Sequence, residues 1–321
     1  MTDTVPRHVL VTGAAGFIGS HVVDRLAVDG RHVTALDNFD PYYARSAKEP
    51  HVAAWAALPN VTFVEADVRD ADALADVFAS GEVDAVVHLA AKAGVRASVG
   101  DDAAYFDVNL TGTLVLLEAM SRHDVKRLVF GASSSSYGNG PAPFREDAAA
   151  DHPLQPYAAS KRSAELLIHS HCHLHGLNAY CTRFFSAYGP RMRPDLAMHK
   201  FAIAIANSEE LPLLGDGTAL RDYTYIEDIV DGIVAALDRA RGYEVINLGA
   251  GDTTPLRRVI ELLETHLGAA ARIKRLPANP SDADITRADI GKARRLLDYA
   301  PTVSIEDGVA RFVAWFRSTI V

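Results

Sequence analysis

The segment PYAASK, residues 156–161, sets a phenol and an amine four positions apart at Tyr157 and Lys161. On a helix such residues share one face, roughly 5–6 Å apart, so both can address a single reacting atom. A tyrosine with a pKa near 10 is a poor base at neutral pH, but an adjacent ammonium and an oxidised nicotinamide both favour its phenolate. The phenolate can then take a proton from a substrate hydroxyl. A lone YxxxK is also an ordinary exposed helix face, and its context is what gives it weight. Four serines, residues 133–136, follow the strand-like run RLVFGA, and the C-terminal ends of strands are where open α/β sheets bind ligands. Read by themselves, the serines form a polar turn.

Such a pair needs a scaffold and a hydride acceptor, and the N-terminal segment VLVTGAAGFIGSHVVDRL suggests both. Gly13, Gly16 and Gly19 fall between a predicted strand and a predicted helix, where they permit a tight turn, a close pyrophosphate and close helix packing. Asp37 ends the next run, HVTALD; a carboxylate there accepts from a ribose 2′-hydroxyl and repels a 2′-phosphate, which favours NAD over NADP. Its alternative is a turn former beside Asn38. Asp67 is a candidate for the adenine edge or for the cap of the helix DADALADVF. The runs HVLVTG, HVTALD, VTFVEAD, AVVHLA and RLVFGAS alternate with helical stretches. They are nearly continuous in apolar residues, as strands buried on both faces should be. The prediction is an α/β fold, a Rossmann-like doubly wound parallel sheet over residues 1–182, with a strand near 244–249 returning to it. Residues 183–321, punctuated by Pro and Gly, are expected to form most of a smaller substrate-binding region.

Composition narrows the class. The 321 residues are 49% hydrophobic and 23% charged, with a formal net charge of −9 and both signs interspersed; nucleic acid and anionic membranes are poor partners for such a surface. No apolar run approaches the roughly 18 residues of a membrane span and no signal-like segment is read at the start, so a cytoplasmic location is expected. Cys172 and Cys181 read as thiols. HSHCHLH, residues 169–175, is the most metal-like stretch; its histidines spread over more than one helix face, and no metal is expected. The stripe of PLRRVIELLETHL suits either burial in its own domain or a partner's helix.

These features together resemble one family. GxxGxxG, HLAA at residues 88–91, the serines before Tyr137-Gly138, YxxxK, RFFSAYGP and RDYTYIEDIV are similar, nearly end to end, to the extended short-chain dehydrogenases/reductases. DNFDPYY, AGVRAS, RFFSAYGP followed by RPD, and RDYTYIEDI most resemble the UDP-glucuronate 4-epimerases among the nucleotide-sugar epimerases. The resemblance implies NAD as cofactor and a UDP-sugar as substrate, oxidised at C4 by hydride loss, rotated as the 4-keto sugar, and reduced on its other face. Tyr157 would be the base and Lys161 would keep the phenol acidic and hold the nicotinamide ribose. Ser133, or Ser134 or Ser135, would bond the reacting oxygen. Gly13, Gly16, Phe17, Ile18 and Gly19 would cradle the dinucleotide. Asp37, Asn38, Asp67 and Val68 would serve its adenosine end, while Leu89, Ala90, Ala91, Lys92 and Asn109 would line the rest. Ser186, Arg193, Arg221 and Asp282 would meet the substrate, and Ser134, Ser135 and Ser186 would orient a glucuronyl carboxylate. Lys92, where relatives often carry glutamine, could touch nicotinamide, sugar or nothing. Dehydratases and decarboxylases of this fold usually carry an acid in the serine loop; hydroxyls alone favour epimerisation. The alternatives are a UDP-glucose/galactose 4-epimerase, a UDP-glucuronate decarboxylase and a non-catalytic NAD-sensing regulator. A homodimer is implied by the family.

Overall fold

The computed structural model describes residues 5–79, 82–277 and 285–320. Strand β1 (His8–Thr12) runs into the glycine turn and helix α1 (Phe17–Val28), and β2 (His32–Asp37) follows. Helix α2 (Glu49–Trp55) precedes β3 (Val61–Glu65), and α3 (Ala71–Ala79) precedes β4 (Ala85–His88). Helices α4 (Asp102–Phe106) and α5 (Gly112–Arg122) lead to β5 (Arg127–Ser133), and α6 (Pro156–His175) to β6 (Asn178–Phe184). With the strand Tyr243–Leu248 these form one parallel sheet in the order Tyr243–Leu248, β6, β5, β4, β1, β2, β3.

The apolar runs explain this sheet. Val9, Leu10 and Val11 are fully buried, as are Ala85, Val86 and Val87. Alternate residues feed two cores on opposite faces: Val9, Val11, Val87 and Val129 on one, Leu10, Val86, Leu128 and Phe130 on the other. Strand β6 carries no such run, because Arg183 lies within it. That arginine is 2% exposed and makes a bidentate pair with Glu165 of α6, Nε–Oε1 2.8 Å and Nη2–Oε2 2.6 Å. Its guanidinium also lies 4.4 Å from the Tyr137 ring centroid.

Beyond β6 the chain forms short ladders: Ser186–Tyr188 with Tyr223–Tyr225, and Leu220–Arg221 between Thr254–Pro255 and Ile285–Thr286. Asp222 pins them from inside; its carboxylate accepts from the backbone N–H of Ala250, Gly251 and Ala288 at 2.7–3.0 Å. The helix Leu256–Leu267 buries Val259, Ile260, Leu262 and Leu263 in the same core as Phe312 and Phe316 of the helix Ile305–Thr319. Of the two readings of that amphipathic stripe, burial in its own domain is the one observed. Among the described residues no helix is long and apolar enough to cross a membrane.

Candidate active site

A cleft enclosing about 1120 Å³ of empty space, part of it open to solvent, lies at the C-terminal ends of β1, β2, β4 and β5. Its first wall is the glycine turn. Gly13 has φ +68°, and a Cβ there would sit 2.6 Å from the Ala90 nitrogen; a Cβ on Gly19 would collide with the Gly13 carbonyl oxygen. The helix therefore docks on the strand only without side chains at both positions. Gly16 gives α1 no side-chain cap, and its first turn holds no acid. Unsatisfied N–H groups and the positive end of the helix dipole thus open onto the cleft, the setting that holds a pyrophosphate. The residues present fit a dinucleotide.

At one end of the cleft Asp37 is fixed before any ligand arrives. Its Oδ2 accepts from Ala15 N–H at 3.1 Å, and its Oδ1 from Phe39 N–H at 2.8 Å and Lys48 Nζ at 3.5 Å. Asn38 donates to Asp67 Oδ2 at 2.8 Å, and the Arg69 guanidinium holds the Asp67 carboxyl down at about 2. Asp67 does not cap α3. Asp70 does so, accepting from the N–H groups of Asp72 and Ala73, because it stands immediately before the first turn.

At the other end, Tyr157 and Lys161 share one face of α6, whose start is favoured by Pro156 in its first turn. Lys161 is 3% exposed; its Nζ donates to the Gly131 carbonyl at 2.8 Å and lies 4.7 Å from the Phe130 centroid. The Tyr157 ring stands edge-on to Tyr105 with centroids 6.3 Å apart. Crowding around its oxygen raises the phenol's pKa; the Ser133 hydrogen bond and the Arg193 guanidinium pull it down without reversing the direction. The Lys161 ammonium, expected to acidify the phenol, donates to a backbone carbonyl in this structure, and Arg193 is a second cation that lowers the phenol's pKa. Ser133 is the serine bonded to Tyr157. Ser135 supports it, with Oγ atoms 2.8 Å apart and its N–H donating to Ser133 Oγ. Ser134 begins the turn that follows.

Burial lowers the Lys161 pKa from 10.5 to about 8, the Glu165 carboxylate opposing the shift. Between those values the folded chain binds fewer protons than the unfolded one, so this group's contribution to stability rises with pH in that window. Replacement Lys161→Met should remove the increment. Denaturant midpoints at pH about 7.5 and about 9.5 should differ less in the variant than in the parent; an unchanged difference would show that Lys161 titrates normally.

Gly13, Gly16, Phe17, Ile18, Gly19, Asp37, Asn38, Asp67, Val68, Leu89, Ala90, Ala91, Lys92, Tyr157, Lys161 and Arg193 all line this one cleft. Asn109 does not line it. Its amide bonds the Lys92 N–H at 2.7 Å, the Lys92 carbonyl at 3.1 Å and Ser160 Oγ at 2.9 Å, so it acts on the cleft only by holding Lys92. Ser186 follows two residues after the lining residue Phe184 but is outside the lining, with its N–H on the Asp222 carbonyl. Arg221 is also outside it, with Nη1 on the Leu220 carbonyl; within RDYTY it is Asp222, Thr224 and Tyr225 that are buried. Asp282 lies outside the described residues. Tyr42 and Tyr43, read from the sequence only as part of DNFDPYY and given no role, and Lys48, which was not read at all, line the cleft. Asp195, quoted within RPD, was likewise given no role. It clamps Arg193 at 2.9 and 3.0 Å and accepts from Tyr42 OH at 3.1 Å. His171 and His175 have ring centroids 5.0 Å apart, and among the described residues no three His, Cys, Asp or Glu side chains are grouped to hold a metal.

The chain matches the model of the NAD dependent epimerase/dehydratase family over residues 9–249. It is 41% identical over 314 residues to a UDP-glucuronate 4-epimerase of Thermodesulfobacterium geofontis, covering 98% of this chain and 97% of that protein. UDP-glucuronic acid 4-epimerase from Bacillus cereus, solved with UDP-glucuronic acid and NAD, superposes with a TM-score of 0.91 at 35% identity, over 97% of this chain and 99% of the other. UDP-glucose 4-epimerase from Thermotoga maritima, solved with UDP-glucose, gives 0.89 at 31% identity, over 98% and 100%. The family match runs through the whole parallel sheet and the relatives extend it over nearly the entire chain, so this protein belongs to the NAD-dependent epimerase/dehydratase family.

Proposed function

We propose that the chain epimerises C4 of a UDP-sugar with NAD as cofactor, and that its substrate is UDP-glucuronate, giving UDP-galacturonate. The observation that carries this is that Tyr157 and Arg193 line the cleft onto which the uncapped start of α1 opens, with Ser133 hydrogen-bonded to the phenol from just outside the lining. NAD, when bound, accepts the hydride from C4, returns it to the opposite face, and adds positive charge beside the phenol. Tyr157 takes the proton from the 4-hydroxyl and later gives it back, and Ser133 bonds the same oxygen. Arg193, clamped by Asp195, favours the phenolate and meets the sugar's anionic side together with Ser186. Arg221 is reserved for the nucleotide diphosphate, and Asp282 is assigned to the UDP-sugar as a whole. The turn Ser134–Tyr137 offers hydroxyls and no carboxylate, so nothing there moves the second proton that an elimination needs. Similarity to an enzyme solved with UDP-glucuronic acid supports the choice of sugar.

Purified protein incubated with UDP-glucuronate should form UDP-galacturonate without net NADH. Carbon dioxide with a UDP-pentose would instead favour decarboxylation, turnover of UDP-glucose alone the neutral-sugar epimerase, and silence on every UDP-sugar a regulator. A homodimer and a cytoplasmic location complete the reading. Leu166 and Leu174 of α6, 56% and 68% exposed, support the first, and the free thiols Cys172 and Cys181 support the second.

A further inference from the structure

The segment between β2 and α2, residues 38–48, supplies one wall of the cleft: Asn38, Asp40, Tyr42, Tyr43 and Lys48 all line it. It is folded tightly. The Asn38 and Asp40 side chains each accept from the backbone N–H two residues on, at 3.0 and 2.9 Å, the local turn that such residues favour. Lys48 anchors the near end, its Nζ 3.5 Å from both Asp37 Oδ1 and the Asp40 carbonyl. The segment also passes the glycine turn, since a Cβ on Gly16 would lie 3.9 Å from Tyr43 Oη.

Tyr42 carries it to the far side. Its hydroxyl donates to Asp195 Oδ2 at 3.1 Å, and Asp195 belongs to the stretch after β6, which β1, β4 and β5 separate from β2 in the sheet. Between them lies Gly94, beyond β4, with φ +106°; a Cβ there would collide with Tyr42 Oη, so the ring has room only against a residue without a side chain. Asp195 is a firm anchor. Both its oxygens are held by Arg193, at 2.9 and 3.0 Å, and its side chain is 24% exposed. Burial and the Asp195 carboxylate raise the Tyr42 pKa, which keeps the hydroxyl a donor. The ion pairs of Arg45 with Glu49 and Glu65 on the same segment are half exposed and weak by comparison.

We infer that Tyr42 is a positioning residue of the cofactor site: through Asp195 its hydroxyl tethers residues 38–48 across the cleft and governs how fast the dinucleotide enters and leaves. The inference rests on the epimerisation reading above and goes beyond it. In that reaction the hydride taken from C4 returns from the same cofactor, so NAD must stay in place from the first transfer to the second. Both ends of the tether are protein groups. Breaking it speeds entry and exit alike, and affinity changes only as far as the tether differs between the free and the loaded chain.

The test follows NADH leaving the loaded full chain when excess NAD is added, by loss of nicotinamide fluorescence, with Kd from titration of the same chain. Tyr42→Phe removes the hydroxyl and keeps the ring; release should quicken about tenfold, in line with a lost hydrogen bond to a charged acceptor, while Kd stays within about twofold. Asp195→Ala should act alike. The double variant should release NADH within about twofold of the faster single one, because both changes remove one interaction. A merely structural role, or a direct contact with the cofactor, would raise Kd in step with the release rate. That outcome would overturn the inference, as would unchanged release in either single variant or a double variant quickened about a hundredfold. A chain that turns over no UDP-sugar but gives the expected release pattern would end the epimerisation reading and leave the tether standing.

Discussion

Replacement Tyr157→Phe is expected to lower the rate of UDP-sugar interconversion by about 10²- to 10⁴-fold, the usual contribution of a positioned acid–base group. Phenylalanine keeps the ring and its edge-on contact with Tyr105, so the fold should survive and the variant should still bind NAD and nucleotide sugar. What is lost is the oxygen that Ser133 bonds and that Arg193 pulls toward the phenolate. In the chain alone burial outweighs both, and the phenol's pKa lies above its ordinary value. A cationic nicotinamide shifts that balance in the direction catalysis needs. The measurement is turnover beside ligand affinity. A variant with intact binding and full turnover would remove Tyr157 from the chemistry.

Replacement Glu165→Ala should destabilise the fold by about 3–5 kcal/mol, because removing one partner of a buried pair leaves the other charge uncompensated. Glu165 is fully buried and receives both Arg183 and, at 3.0 Å, Arg162. Arg183 already has a buried Nη1 without a hydrogen-bond partner, so no local alternative awaits its charge. The double replacement Glu165→Leu with Arg183→Met should recover much of the loss, since well-packed apolar residues often replace buried ion pairs at little cost. Denaturant unfolding of the three variants checks the claim; a single replacement costing under about 1 kcal/mol would mean that water reaches the pair.

The places where reading the sequence failed have one kind of cause. Strand β6 was missed because Arg183 interrupts its apolar run, and its fit depends on Glu165 arriving from the preceding helix. Asp70 rather than Asp67 caps α3, a matter of three residues at a boundary that periodicity locates only loosely. Helix spacing put Lys161 on the face of Tyr157 but could not show which carbonyl its ammonium meets or that Arg193 joins it. The carbonyl of Gly131 is 30 positions away in sequence and Arg193 is 36 from Tyr157. Tyr42 and Lys48 entered the cleft only through a loop folding back onto β2 and toward Asp195.

By itself the sequence determined the parallel sheet, the glycine turn and the face that Tyr157 shares with Lys161. Each is a local consequence of apolar runs, backbone freedom or helical spacing. The tertiary structure alone decided which carbonyl Lys161 meets, which acid clamps Arg193 and which charges are held fast. Most of those outcomes depend on contacts between segments far apart in the chain, whose energies no short window of sequence contains.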